Sequence, residues 1–131
     1  MVAANDRIAV VFKLSEGQRH DAPQGRELLE STDFGALMTN GGKIKLLADK
    51  AYEDDKTRNL IVEKGFEPVI PPKSNRKEPW EYDKEIYKRR NEVERLFRRI
   101  KRFRRVFTRY EKTDIMYITF VMYALIIDTT K

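Results

Sequence analysis

The sequence predicts an α/β fold with a partly parallel sheet, and three observations support this prediction. Short β-branched or apolar segments alternate with segments typical of helices, which is the order of an α/β layer arrangement. Two long helical segments follow the last of these strands. An aspartate, Asp49, comes directly after an apolar strand, where functional residues gather in such sheets. With 131 residues, the chain is long enough for one domain with a buried core.

The first predicted element is a strand over Arg7–Leu14, rich in β-branched and aromatic residues. It follows a turn-like Ala4–Asp6, so we expect residues 1–3 to form what remains of a partner strand. A polar loop precedes a short helix predicted over Pro23–Glu30, with Asp21 as its cap.

The middle of the chain predicts a strand, a helix and a second strand. After a turn at Thr39–Gly42, the strand Lys43–Ala48 ends at Asp49. Asp54 and Asp55 are expected to cap a helix that ends before a glycine, Gly65. The second strand is predicted over Glu67–Ile70 and is closed by two prolines.

Two helices are predicted in the last third of the chain. Tyr82–Thr108 contains no Gly or Pro and predicts one helix about 40 Å long. Its apolar residues recur at three- and four-residue steps: Ile86, Val93, Leu96, Phe97, Ile100, Phe103 and Phe107. The last helix, Asp114–Asp128, is apolar nearly all round, so we expect it to be buried. Its apolar stretch is shorter than the about 20 residues of a membrane span.

The charge of the chain is concentrated in one block, residues 73–112. This block has 16 Lys and Arg against 7 Asp and Glu, a net charge of +9 in a chain whose total is +6. Such a block favours a polyanion partner, usually nucleic acid, although a solvated helix laced with ion pairs has the same composition. Cysteine is absent, which excludes disulfides and thiolate metal sites.

A polar stripe lies beside the apolar stripe of the predicted long helix. Tyr87, Arg90, Glu94 and Lys101 fall within an arc of about 60° at 100° per residue. Glu92 lies about 200° from Glu94 and faces elsewhere. A glutamate in such a stripe is more often an intrahelical ion-pair partner than a catalytic group, so the spacing alone leaves both readings open.

These residues and their surroundings resemble a known family. The spacing Tyr87-x2-Arg90-x3-Glu94-x6-Lys101 is similar to the signature around the catalytic glutamate of insertion-sequence DDE transposases. The stretch LLADKAYEDD around Asp49 and the stretch VIPPKSNRK that follows also resemble this family. The resemblance runs over essentially the whole chain, and the ordered combination is more specific than any one motif.

The resemblance implies a ribonuclease-H-like fold, a mixed sheet with flanking helices, and a two-metal centre with Mg²⁺ or Mn²⁺. Asp49 and Glu94 match two of the three catalytic, metal-binding carboxylates. Tyr87, Arg90 and Lys101 match accessory positions. DNA, as transposon ends and target, is the implied partner. We expect six residues to contact it: Tyr87, Arg90, Lys101, Lys73, Arg76 and Arg98.

No residue matches the family's first aspartate, and Asp6 lies in a turn. We therefore expect residues 1–131 to be the C-terminal part of the catalytic domain, truncated at its N-terminus and inactive in strand cleavage by itself. Two origins remain open, a decayed gene fragment and the second reading frame of a frameshifting element. The upstream transposase segment or a second copy would then be a partner, in the cytoplasm of a bacterium.

Two other classes of function remain. A non-catalytic DNA-binding protein would use the basic helix alone. A membrane-surface protein would use the basic and apolar C-terminal helices. Trp80 and Tyr82, which flank the basic loop, either stack on nucleotides or pack against the start of the helix.

Overall fold

A computed structural model describes residues 1–4, 9–12, 20–37, 43–110 and 112–131. The predicted turns near Asn5 and at Thr39–Gly42 lie outside these residues. The chain divides into two compact units: a central unit, Ser15–Arg90, and a terminal unit formed by Met1–Leu14 and Asn91–Lys131. Within the described ranges, no helix is both long enough and apolar enough to cross a membrane.

A strand–helix–strand motif forms the centre of the central unit. Strand β3 (Ile44–Leu47) is followed by helix α2 (Asp55–Glu63) and strand β4 (Phe66–Val69). The strands are parallel, with Ile44 opposite Phe66 and Leu47 opposite Val69. This confirms the predicted alternation and the parallel pairing. The buried apolar residues of the unit pack around this motif: Leu28, Leu29, Phe34, Ile61, Phe66, Val69 and Ile70.

Local sequence signals fix both ends of α2. Asp54 is the N-cap, and its carboxylate accepts hydrogen bonds from the backbone N–H and the hydroxyl of Thr57. Burial alone raises the pKa of Asp54, but these hydrogen bonds and the charge of Arg26 outweigh it and hold the pKa below its usual value. Gly65 has a φ of 89°, which favours glycine and ends the helix. The predicted cap and stop are confirmed, with Asp55 as the first helical residue.

Helix α1 (Asp21–Ser31) starts two residues earlier than predicted. His20 occupies the N-cap position without a side-chain hydrogen bond, and Asp21 is the first helical residue. The prediction of Asp21 as the cap was therefore wrong. Aspartate is favoured both at the N-cap and in the first turn of a helix, where the helix dipole attracts acidic residues. The residue type alone therefore does not tell which of the two positions Asp21 takes.

Gly25 on α1 lies against the ring of Tyr52. A Cβ at this position would overlap that ring, with Cδ1 of Tyr52 only 3.1 Å away. We expect Gly25→Ala to lower the free energy of unfolding by up to about 2 kcal/mol. The overlap costs about 1–3 kcal/mol, and the gain of about 1 kcal/mol in helix propensity offsets part of it.

Urea unfolding followed by Trp80 fluorescence measures this effect, because Trp80 is the only tryptophan and lies in the same unit. Gly25→Ala in a Tyr52→Ala background is the control, since the ring is then absent. A stabilising Gly25→Ala in the wild-type background would contradict the close contact.

The terminal unit combines a short antiparallel pair with three helices. Strand β1 (Val2–Ala3) pairs with β2 (Ala9–Val11), as predicted for the start of the chain. The helices are α4 (Asn91–Ile100), α5 (Arg104–Phe107) and α6 (Asp114–Thr130). The core of the unit consists of Leu96, Ile100, Val106, Val121, Ala124 and Leu125. Each unit thus contains one described two-stranded ladder, antiparallel in the terminal unit and parallel in the central unit.

The prediction of one helix over Tyr82–Thr108 was wrong. Helix α3 (Lys84–Tyr87) is followed by a 3₁₀ turn at Lys88–Arg90 before α4 begins. After α4, Phe103 adopts an extended backbone, with φ −75° and ψ 115°, and precedes α5. Phe103 packs against the core of the terminal unit, so side-chain burial offsets the helical hydrogen bonds that this break removes.

The prediction that α6 is buried all round was also wrong. Val121, Ala124 and Leu125 are buried in the core. The opposite face is exposed and includes Ile115, Met116, Met122, Tyr123 and Ile126. A helix this apolar on both sides is typical of a fully buried element, so composition alone overestimates its burial in the described residues.

Candidate active site

Asp49 lies just beyond the carboxyl end of β3. Its carboxylate accepts a hydrogen bond from the backbone N–H of Lys50, so it caps the 3₁₀ turn Lys50–Tyr52. The side chain is 53 % exposed. The position at the strand end agrees with the sequence prediction. Capping a turn is also a common structural role of aspartate, independent of any catalytic role. The capping hydrogen bond uses Oδ1 and leaves Oδ2 outside it.

The other carboxylate oxygen of Asp49 faces Arg90. Nη1 of Arg90 lies 3.6 Å from Oδ2 of Asp49, and the Arg90 side chain is 28 % exposed. The Arg90 guanidinium also lies 5.9 Å from the centre of the Tyr87 ring. The structure therefore brings together three residues that the family resemblance selects, although about 40 positions separate Asp49 from Arg90 along the chain.

Tyr87 is a partly buried phenol beside these charges. Burial raises the pKa of its hydroxyl; the Arg90 charge opposes this, and the Asp49 charge adds to it. The net direction is upward, so the hydroxyl stays protonated near neutral pH and can donate a hydrogen bond. The ring of Tyr82 packs edge-on against Tyr87, with centroids 5.6 Å apart.

Local signals at the start of α3 set the position of Tyr87. Asp83 is the N-cap and accepts hydrogen bonds from the backbone N–H groups of Glu85 and Ile86. Its other carboxylate oxygen lies 3.8 Å from Nζ of Lys45 on β3. Asp83 thereby ties the first turn of α3 to the strand that carries Asp49. Sequence reasoning missed this residue, although an aspartate before a helical segment is a recognisable cap signal.

Glu94, Arg98 and Lys101 belong to the terminal unit. Glu94 is half-buried on α4, and Arg98 is exposed near the end of the same helix. Lys101 is exposed and lies just after α4. The predicted stripe assumed an α-helix throughout, but residues 88–90 form a 3₁₀ turn with about 120° per residue. Within α4, Glu92 and Glu94 still point apart.

A buried carboxylate, that of Glu53, holds the basic loop that follows the two prolines. Glu53 is only 8 % exposed, and its carboxylate lies 3.0 Å from Nη1 of Arg76 and 3.5 Å from Nζ of Lys73. Arg76 also pairs with Asp55, a hydrogen bond that raises the pKa of its guanidinium despite burial. Arg76 thus anchors the loop, while Lys73 remains half-exposed. Sequence reasoning missed Glu53, because nothing local marks it as buried.

Trp80 packs within the central unit. Its indole Nε1 donates a hydrogen bond to the backbone oxygen of Ile70, 2.8 Å away. The guanidinium groups of Arg58 and Arg76 lie over the ring, at 3.6 and 4.5 Å from its centre. This arrangement favours the packing reading of Trp80 over stacking on a nucleotide.

Asp49 and Glu94 have the right chemistry to bind divalent metal ions, but among the described residues the structure does not gather enough ligands around them. Carboxylate oxygens are hard ligands of the kind that Mg²⁺ takes, so Asp49 and Glu94 are suitable donors. Across the described parts of the chain, no group of three or more His, Cys, Asp or Glu side chains is placed to hold a metal ion. Asp49 has a cation beside it already, the Arg90 guanidinium. No catalytic step through a metal ion follows from this arrangement.

Comparison with known proteins identifies the family. The transposase DDE domain family matches residues 1–128. Transposases of this family act on DNA, and they generally use divalent metal ions. Neither a curated protein nor a solved structure matches the chain. The match covers nearly every residue, and on this basis the chain belongs to the transposase DDE domain family.

Proposed function

We propose that this chain supplies two of the three catalytic carboxylates, Asp49 and Glu94, to an insertion-sequence transposase. In the complete enzyme they would take part in cleavage at the ends of the element and in strand transfer to target DNA. One observation carries the proposal: Tyr87 and Arg90 lie beside Asp49 at the end of β3, although about 40 positions separate them from it along the chain. The family match supports the same reaction class.

The roles of the site residues follow from their chemistry. Arg90, a half-buried guanidinium at the site, would contact a DNA phosphate, with the Tyr87 hydroxyl as a neutral hydrogen-bond donor beside it. Exposed cations elsewhere would contact the backbone of the DNA: Lys73, Arg98 and Lys101. Arg76 contributes mainly by holding the loop, because Glu53 and Asp55 already bind its guanidinium.

Divalent ions, when bound, would supply Lewis-acid activation of the phosphoryl group in such a reaction. Asp49 and Glu94 would hold them, together with a third carboxylate that no residue of this sequence matches. We therefore propose that this chain alone does not cleave DNA. The missing carboxylate would come from a further transposase segment, and a second copy of the chain is the alternative partner. The cellular setting would be the bacterial cytoplasm, where the DNA is.

Arg90→Gln tests the DNA-binding part of the proposal. We expect it to weaken binding to a labelled duplex of mixed sequence and to lower the slope of log affinity against log salt by about 1, the effect of one lost phosphate contact. Fluorescence anisotropy over a salt series measures both quantities. Arg89→Gln is the matched control, since Arg89 is exposed on the same 3₁₀ turn and carries the same charge. Equal effects of the two variants would contradict a specific role for Arg90.

The second candidate function is a DNA-binding protein without catalysis. The observation that favours it is the lack of a three-residue metal group among the described residues. Calorimetric titration with Mn²⁺ separates the two, using the wild type, Asp49→Ala and Glu94→Ala. Weaker Mn²⁺ binding in both variants supports the catalytic assignment, and identical titrations support the binding protein. Nicking of plasmid DNA by the wild-type chain with Mn²⁺ would refute the proposal that this chain does not cleave DNA by itself.

A further inference from the structure

The contact between Asp49 and Arg90 is an ion pair without the geometry of a strong hydrogen bond. Its 3.6 Å separation exceeds the about 2.7–2.9 Å of a charge-assisted hydrogen bond between such groups. The Asp49 carboxylate is held from its other side, where Oδ1 accepts from the backbone N–H of Lys50. The carboxylate is therefore fixed, and the attraction between Oδ2 and this guanidinium nitrogen is mainly Coulombic.

In this ion pair, Arg90, the proposed contact for a DNA phosphate, already faces a carboxylate of the same site, Asp49. Asp49 and Arg90 cancel each other in charge, and Tyr87 is neutral near pH 7, as any tyrosine whose pKa is not lowered is. A phosphate that approaches Arg90 meets the Asp49 carboxylate within a few ångströms. It must either take the guanidinium from Asp49 or share it, and in both cases two anions come close together.

We propose that Asp49 competes with DNA phosphate for the Arg90 guanidinium, so that this carboxylate restrains phosphate binding at the site. The inference rests on the proposed function of Arg90 as a phosphate contact. Neutralising Asp49 releases Arg90 to the DNA. Asp49 then has a role in DNA affinity that is separate from chemistry and is measurable without any metal ion.

The test is the affinity of the whole chain for a labelled mixed-sequence duplex, in EDTA and at low salt. Asp49→Asn removes the charge and keeps the turn, because asparagine is also a good N-cap. We expect it to tighten binding about two- to five-fold, the range of a partly exposed ion pair. In an Arg90→Gln background, the same Asp49→Asn change is expected to give a clearly smaller effect.

Glu85→Gln is the charge-matched control. Glu85 is 81 % exposed on α3, pairs with Lys88 and, like Asp49, carries one negative charge in the central unit. A general loss of negative charge would tighten binding equally in Glu85→Gln and Asp49→Asn, with or without Arg90. That result, or no tightening by Asp49→Asn, would overturn the inference.

The double-mutant cycle also separates this inference from the proposed function. If Arg90→Gln alone leaves DNA affinity unchanged, the proposed phosphate contact fails and the competition fails with it. If Arg90→Gln weakens binding but Asp49→Asn has the same effect in both backgrounds, the phosphate contact stands and only the competition fails. Far-UV circular dichroism checks folding, and Arg90→Met, which also removes the charge, serves as the second variant if Arg90→Gln does not fold.

Discussion

Asp128→Ala is expected to lower the free energy of unfolding by about 3–5 kcal/mol, the cost of breaking a buried ion pair by removing one partner. Asp128 on α6 is only 8 % exposed, and its Oδ2 lies 2.8 Å from Nε of Arg99 on α4. The substitution removes the carboxylate that binds the Arg99 guanidinium, whose side chain is only 21 % exposed. Urea unfolding followed by far-UV circular dichroism measures the loss, because the terminal unit is mostly helical.

Two further variants sharpen this prediction. Asp114→Ala on the same helix removes an ion pair with Arg109 that is exposed, so we expect a loss of about 1 kcal/mol or less. Replacing both buried partners together, Arg99→Met with Asp128→Leu, is expected to cost much less than Asp128→Ala, because no uncompensated charge remains. Equal losses for Asp128→Ala and Asp114→Ala would show that burial of the Arg99–Asp128 pair does not matter.

Ile61→Ala is expected to destabilise the central unit by about 2–5 kcal/mol, from lost apolar burial and the cavity left behind. Ile61 is completely buried on α2, the helix that connects the two parallel strands. Trp80 fluorescence during urea unfolding reports on this unit, since the indole is hydrogen-bonded to the buried Ile70. We expect a lower midpoint with an unchanged slope against denaturant.

The adjacent residue provides the matched control. Val62 also lies on α2 but is 59 % exposed, so Val62→Ala changes the same helix without opening a cavity. We expect its effect to stay within about 0.5 kcal/mol, as for most surface substitutions. Comparable losses in both variants would show that the burial of Ile61 does not set the cost of its substitution.

The elements that the sequence predicts well depend on local signals. Asp54 caps α2 through its own backbone neighbourhood, and Gly65 ends it by adopting a positive φ. Strand β3 ends just before Asp49, as its apolar residues predict. Each of these features needs only a few consecutive residues, so one sequence is enough to read them.

The candidate site was predictable only in part. Asp49, Tyr87 and Arg90 were selected through a family signature, and the structure places them together. The paired state of Arg76 was not predictable, because its partners, Glu53 and Asp55, precede it by more than 20 residues. Spacing indicates which residue types face the same way, but ion pairs between distant segments depend on how the chain packs. The catalytic assignment of Asp49 and Glu94 stays a prediction.

The sequence by itself determined the family, the alternation of strands and helices in the central unit, and the caps of α2, because these follow from motifs and short-range hydrogen bonds. Only the tertiary structure decided where the long basic segment breaks and which face of α6 is buried. Residues 101–103 contain no helix breaker, yet Phe103 leaves the helix and packs against the core. Burial of apolar surface between distant segments outweighs local helix propensity there, and a local pattern carries no information about that balance.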